Sequence, residues 1–189
     1  IGDIKYNDIN GDGLINEEDI VAIGHSNIPK INYGFGGTLQ WKGIDVSVFF
    51  QGISNVSYFL GGNSIYGFNS GSLTRAAINE DVYMNRWTEN NPNAKYPRLD
   101  SNANTNNNRN STFRMIDGSF LRFKNAEIGY TFPKKMLYGT FLRTVRIYAS
   151  GVNLLTFSNF KLWDPEQKGK EGAGYPPSRI FNIGLNVNF

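Results

Sequence analysis

The chain has 189 residues, 14% of them aromatic and 19% charged, with 21 glycines, no cysteine and a formal net charge of +3. Without cysteine there is no disulfide framework and no thiolate metal site, and the scatter of Lys and Arg excludes a phosphate-tracking basic stripe, so no nucleic acid is expected as partner. Abundant aromatics combined with few charges suit strands that have one apolar and one polar face, and the glycine and asparagine content favours turns over a helical bundle.

The chain opens on Ile1-Gly2-Asp3-Ile4-Lys5, with no start methionine, basic leader or apolar signal core, and the expectation is that a segment precedes it. A twelve-residue stretch from Asp8 to Asp19 follows, with oxygen side chains at Asp8, Asn10, Asp12, Asn16 and Asp19 and a glycine, Gly13, at its sixth position. A hard cation takes about 6–8 oxygens, and this spacing lets those side chains and the Leu14 carbonyl face one centre. The expected cofactor is therefore a structural calcium ion. An Asp at the last position in place of Glu makes the loop similar to the dockerin-type motif, and the competing reading is a run of Asx turns satisfying their own backbone. Residues 1–32 are read as an extracellular loop carrying this motif, and residues 33–189 as strands and loops.

Alternation begins at Tyr33. Tyr33, Phe35, Leu39 and Trp41 oppose Gly34, Gly36, Thr38 and Gln40; Lys42-Gly43 reverses the chain; and Ile44, Val46, Val48 and Phe50 oppose Asp45, Ser47 and Gln51. Residues 33–53 thus predict a hairpin, with Phe49 as an intruder on the polar face. Residues 46–74 carry no charge, yet Ser, Asn, Gln and Gly interrupt them throughout, which excludes a spanning helix. Arg86-Trp87 suits either a recognition surface or a local loop core, and the asparagine-rich run 101–110 reads as a mobile surface segment. A third strand places Ala126, Ile128, Tyr130 and Phe132 on one side with Leu121 and Phe123 out of phase, predicting a bulge near Lys124-Asn125. Val145, Ile147, Ala149, Gly151, Leu155 and Phe157 mark a fourth, and Phe181, Ile183, Leu185, Val187 and Phe189 a fifth.

Connections alternate short (42–43, 133–140) and long (54–112, 158–178), as in outer-membrane barrels, whose periplasmic turns are short and extracellular loops long. The fold class read from this is all-β: about five strands of a large antiparallel transmembrane barrel, the last running to a periplasmic Phe189. Asp45, Gln51, Glu127 and Arg146 would face the lumen, and Tyr33, Trp41, Tyr130, Phe157 and Phe189 would lie at the membrane interfaces. Five strands cannot close a barrel alone, so the rest must come from an upstream segment or from further copies. The alternative is a secreted calcium-dependent β-sandwich binding module. His25 has no nucleophile near it in sequence, and nothing in the sequence brings Glu80-Asp81 and Asp164/Glu166 together as an acid–base pair, so no enzyme is expected.

Taken together, the Asp8-to-Asp19 loop, Val48-Phe49-Phe50-Gln51-Gly52, Arg86-Trp87-Thr88, Tyr96-Pro97-Arg98-Leu99, Asp117-Gly118-Ser119-Phe120-Leu121-Arg122-Phe123, Gly129-Tyr130-Thr131-Phe132-Pro133, Gly151-Val152-Asn153-Leu154, Asp164-Pro165-Glu166 and Tyr175-Pro176-Pro177-Ser178 resemble the C-terminal part of SusC/RagA-family TonB-dependent transporters. That resemblance implies a plugged barrel of about 22 strands that imports oligosaccharides or peptides across the bacterial outer membrane. It further implies a SusD-like surface lipoprotein as partner and energy from TonB through an upstream plug. In outer-membrane proteins generally, a terminal strand such as Phe181, Ile183, Leu185, Val187 and Phe189 resembles the signal read by the barrel-assembly machinery.

Overall fold

The computed structural model describes residues 1–62, 65, 78–100, 104–168 and 174–189. Its centre is one antiparallel sheet of five long strands in which every neighbour in space is also the next long strand in sequence: β1 (Ile31–Trp41), β2 (Ile44–Ser54), β5 (Phe120–Thr131), β6 (Thr144–Ser158) and β7 (Ile180–Asn188). Two short strands, β3 (Ser57–Phe59) and β4 (Met115–Asp117), form a separate ribbon within the connection between β2 and β5. The short strands escape period-two reading because three residues give no alternation to count.

Register explains how one sequence makes two unlike faces. Residues directly opposite in an antiparallel pair share a face. Following the pairs Leu39↔Val46, Val46↔Ile128, Ile128↔Ala149 and Ala149↔Ile183 across the sheet traces a row that is apolar from edge to edge. The next row of that face, Phe35, Phe50 and Phe123, stacks its rings at 5.2 and 4.6 Å. The opposite face carries Asp45, Ser47, Gln51, Glu127, Arg146, Asn182 and Asn186.

Turn chemistry fixes that register at one end. Lys42 and Gly43 take φ of 48° and 89°, the two positive values of the tight turn that suits strand twist, and glycine tolerates the second without cost. At mid-sheet, β5 carries one residue, Lys124, that no residue of β2 opposes. This is the bulge expected from the sequence, and it returns Leu121 and Phe123 to the apolar face. Opposite it, β6 sets two residues, Asn153 and Leu154, against that one, with Asn153 at φ 54°. Phe49, the intruder on the polar face, pairs with Gly36, and its ring lies so close to Gly34 and Gly36 that a Cβ at either would fall within 3.1 Å of it. The glycines leave the space the ring fills.

No large side chain of the apolar face is buried, and Leu39, Phe181 and Ile183 are 70%, 74% and 91% exposed. Each such side chain left in water forgoes about 1.5–3 kcal/mol, so a face of this composition needs an apolar surrounding. A sandwich would lay a second sheet over it, and among the described residues none does. The buried side chains sit elsewhere: Leu60, Ile65, Val82 and Tyr96 pack with Ile116, Phe160, Leu162 and Trp163 among the long connections. No helix among the described residues is long and apolar enough to cross a membrane, a fact that says nothing of strands. The stretch that follows the calcium-type motif is not helical at Ile20 to Ile23; only Glu17–Asp19 forms a single 3-10 turn, capped by Asn16.

Candidate functional site

Three of the four side chains expected to face the lumen meet on the polar face. Arg146 of β6 donates through Nε to Asp45 of β2 at 3.0 Å and through a terminal nitrogen to Glu127 of β5 at 2.6 Å, with a further bond to the second Asp45 oxygen. One guanidinium therefore ties three adjacent strands from within, as its planar fork allows. Gln51 shares the face but lies towards the opposite end of β2, across from Gly34 and Arg122.

At that end the long connections close over the polar face. Arg122 is 2% exposed and holds both oxygens of Asp164 at 2.7 and 2.9 Å and Glu166 at 3.4 Å. It thereby pins the segment 159–168 to the sheet, and Trp163 is used in that packing: its ring meets Phe160 edge-on at 4.9 Å while its indole N–H donates to the Lys168 carbonyl. The Asp164/Glu166 carboxylates are thus engaged by a cation, as is Asp81. Asp81 accepts from Lys95 at 2.7 Å and from the Tyr96 hydroxyl at 2.6 Å, and those two bonds, Lys95 first, hold its carboxyl below the ordinary 3.8. Burial, helped by the bond to Asp81, pushes the Tyr96 hydroxyl up.

Between these two anchored segments opens a groove of about 630 Å³ lined by Lys95, Tyr96, Phe113, Phe160, Lys161 and Leu162 among others. Aromatic faces with hydrogen-bonding and cationic groups at their margins make a surface suited to amphipathic, hydroxyl- or amide-bearing ligands. Sequence reading missed it because its walls come from positions as far apart as Leu60 and Leu162.

The asparagine run does not behave as a mobile segment where it is described. Asn107 is 3% exposed; it accepts from the Ile4 N–H at 2.8 Å and donates to Asp3 at 2.7 Å, while Tyr6 donates to the Asn106 carbonyl. Asp3 also accepts from Arg98, the principal cause of its lowered pKa. The amides are bridging groups that splice residues 2–6 onto the 98–107 segment; residues 101–103 lie outside the described set. Trp87 lies against Gly2, so the local-packing reading of Arg86-Trp87 is the one realised. His25 donates its backbone N–H to Ser57.

The loop from Asp8 to Asp19 wraps on itself. Asp8 accepts from the Gly11 and Gly13 amides at 2.7 and 2.8 Å, Asn10 from Asp12, Asp12 from Leu14 and Asn16 from Glu18. Asp19 bridges the two ends, accepting from Ile9 and Asn16, and the Asn16 bond leads in lowering its pKa. Asx turns are therefore present. Among the described residues no three His, Asp or Glu side chains converge as a metal cage, and none of Asp8, Asp12, Glu17, Glu18 and Asp19 meets a Lys or Arg. The donor set is oxygen only, of the kind a hard cation takes.

On the last strand, Phe181, Ile183, Leu185 and Val187 occupy the apolar face opposite Gly151, Ala149, Ile147 and Val145, and Phe189 follows the strand with its ring 6.4 Å from that of Phe141.

One uncovered apolar face, one charged face and loops that fold together at one end define a section of β-barrel wall. No protein-family model matches the chain. It is 36% identical over its whole length to TonB-dependent receptor P26 of Formosa agariphila and 33% identical over 97% of its length to TonB-dependent receptor P3 of the same organism. The chain spans about a fifth of the length of these relatives. Its fold matches part of the RagAB peptide importer in the closed-closed state (TM-score 0.71, 25% identity, 96% of this chain and 20% of that one) and in the open-open state (TM-score 0.69, 25% identity, 93% and 19%). The chain is similar along its whole length to a part of these TonB-dependent receptors, and its sheet has the fold of a section of the RagAB peptide importer.

Proposed function

We propose that this chain supplies the closing strands and outer mouth of an outer-membrane nutrient importer. The observation that carries the reading is the continuous apolar face from β1 to β7, left without protein cover, backed by a charged face. Such a sheet is stable where lipid meets one side and water the other. The short connections would face the periplasm and the folded loops the exterior. The groove between Tyr96, Phe113 and Phe160 would form part of the entry for an oligosaccharide or peptide, capped by a SusD-like lipoprotein. Import would be driven by TonB through a plug in the upstream part of the protein. The Asp8-to-Asp19 loop would hold calcium as a structural clamp; its unbalanced acidic groups and the wrap closed by Asp19 support that role.

In cells, the full-length protein is expected in the outer-membrane fraction as a heat-modifiable species; a full-length protein that stays in the soluble fraction overturns the reading. Phe189→Ser should lower the amount of assembled barrel with uptake per assembled copy unchanged, measured by surface labelling alongside uptake. For the calcium clamp, terbium luminescence titrated into the full-length protein should weaken at least tenfold in Asp8→Asn/Asp12→Asn.

A further inference from the structure

The two ends of the sheet differ in charge. All four charged side chains in the connections at the Lys42 end, Lys42, Lys134, Lys135 and Arg143, are cationic, and residues 42–43 and 132–143 contain no Asp or Glu. The acidic residues among those described lie in the strands and at the other end. The four cations share one rim, because Thr131 bonds Gly43 and Arg143 bonds Asn188 through the backbone. All four are exposed, and among the described residues none is paired with a carboxylate. Lys42 extends over the Trp41 ring at 4.8 Å.

Interleaved with them are large apolar side chains left mostly in the open: Met136, Tyr138, Phe141 and Phe189 are 66%, 93%, 81% and 77% exposed, the last two touching only through their ring edges. Aromatic side chains at the edge of an apolar belt settle at headgroup depth, and Lys and Arg beside them reach outward to phosphate. Cations unpaired with any Asp or Glu, beside exposed aromatics, match an anionic lipid surface and not a water-facing turn.

We propose that this rim binds anionic phospholipid headgroups of the adjoining leaflet, anchoring and levelling the barrel. The inference rests on the barrel reading above, and the two can fail separately. The experiment reconstitutes the full-length protein in vesicles of phosphatidylcholine alone or with about one third phosphatidylglycerol, and compares thermal midpoints at low and high salt, since exposed charge pairs are screened within about 10 Å at 0.1 M. The intact protein should melt higher in the anionic vesicles, with the difference shrinking at high salt. Replacing Lys42, Lys134, Lys135 and Arg143 with Gln should abolish the difference. Equal charge removal at the other end (Lys5, Lys30, Arg109 and Lys168 to Gln) should leave it intact. A difference that survives in the rim variant, or is lost in the control variant, overturns the proposal. So does a rim variant that insert and melt alike in both lipids as the intact protein does but lose uptake in cells, which would assign the rim to a periplasmic protein. Failure to float with either vesicle would instead remove the barrel reading itself.

Discussion

The sheet and the long connections solve opposite problems with one chain. The connections fold as a water-soluble protein does, with Leu60, Val82 and Tyr96 buried and their polar atoms tied by Asp81, Asn107 and Arg114. The sheet inverts that arrangement, placing its aliphatic and aromatic residues outside and its ion pairs on the other face. The difference teaches that composition alone could not have separated the regions; what separates them is whether apolar residues alternate along extended chain or cluster across distant segments.

Breaking the junction between the two regions should have the largest effect. Arg122→Ala leaves Asp164 without its partner beneath the connections, and removal of one member of such a buried pair costs about 3–5 kcal/mol. Limited proteolysis should then cut within 159–168, and an uncut segment would show that the pair is not what holds it. Next comes the sheet itself: Ile183→Lys changes a side chain that is 91% exposed, so in a water-facing strand it would be nearly neutral. Facing lipid, it should cost about 2–4 kcal/mol near the bilayer midplane, read as a lower unfolding midpoint in vesicles. Protonation of Asp81 in the connections has the smallest effect. Because the folded state holds the Asp81 carboxyl below 3.8, its contribution is complete at neutral pH and is lost as pH falls below 3.8 through the folded value. Asp81→Asn should flatten that acid limb, followed through tyrosine fluorescence near Tyr96, while leaving the behaviour of the strands unchanged.

The strands were legible because period two is a local signal: Tyr33 to Gln51 and Phe181 to Phe189 announce their faces without any partner, and the mismatch of Phe123 with Ala126 located a bulge. The Lys42-Gly43 reversal was legible for the same reason. The lumen-facing set was half legible. Position assigned Asp45, Glu127 and Arg146 to one side, but their meeting depends on register between strands as much as 101 residues apart. What escaped was long-range or compositional. Arg122 and Asp164 are 42 positions apart, and the β3–β4 ribbon and the groove exist only after the connections fold. The asparagine run misled because low complexity suggests disorder, whereas an amide side chain that both donates and accepts can splice two backbones once they are neighbours.

The unopposed Lys124 has one more consequence. It divides β5 into two codes of opposite parity, so that odd-numbered residues lie on the apolar face before it and even-numbered residues after it. Drawing that single residue into the ladder as an ordinary paired position would leave every hydrophobic and every charge in place in the composition, yet would transpose Phe120 and Arg122 with Leu121 and Phe123. The guanidinium that now gathers Asp164 and Glu166 would be delivered to hydrocarbon. Sidedness in this wall is thus stored as a count, and one residue carries the correction.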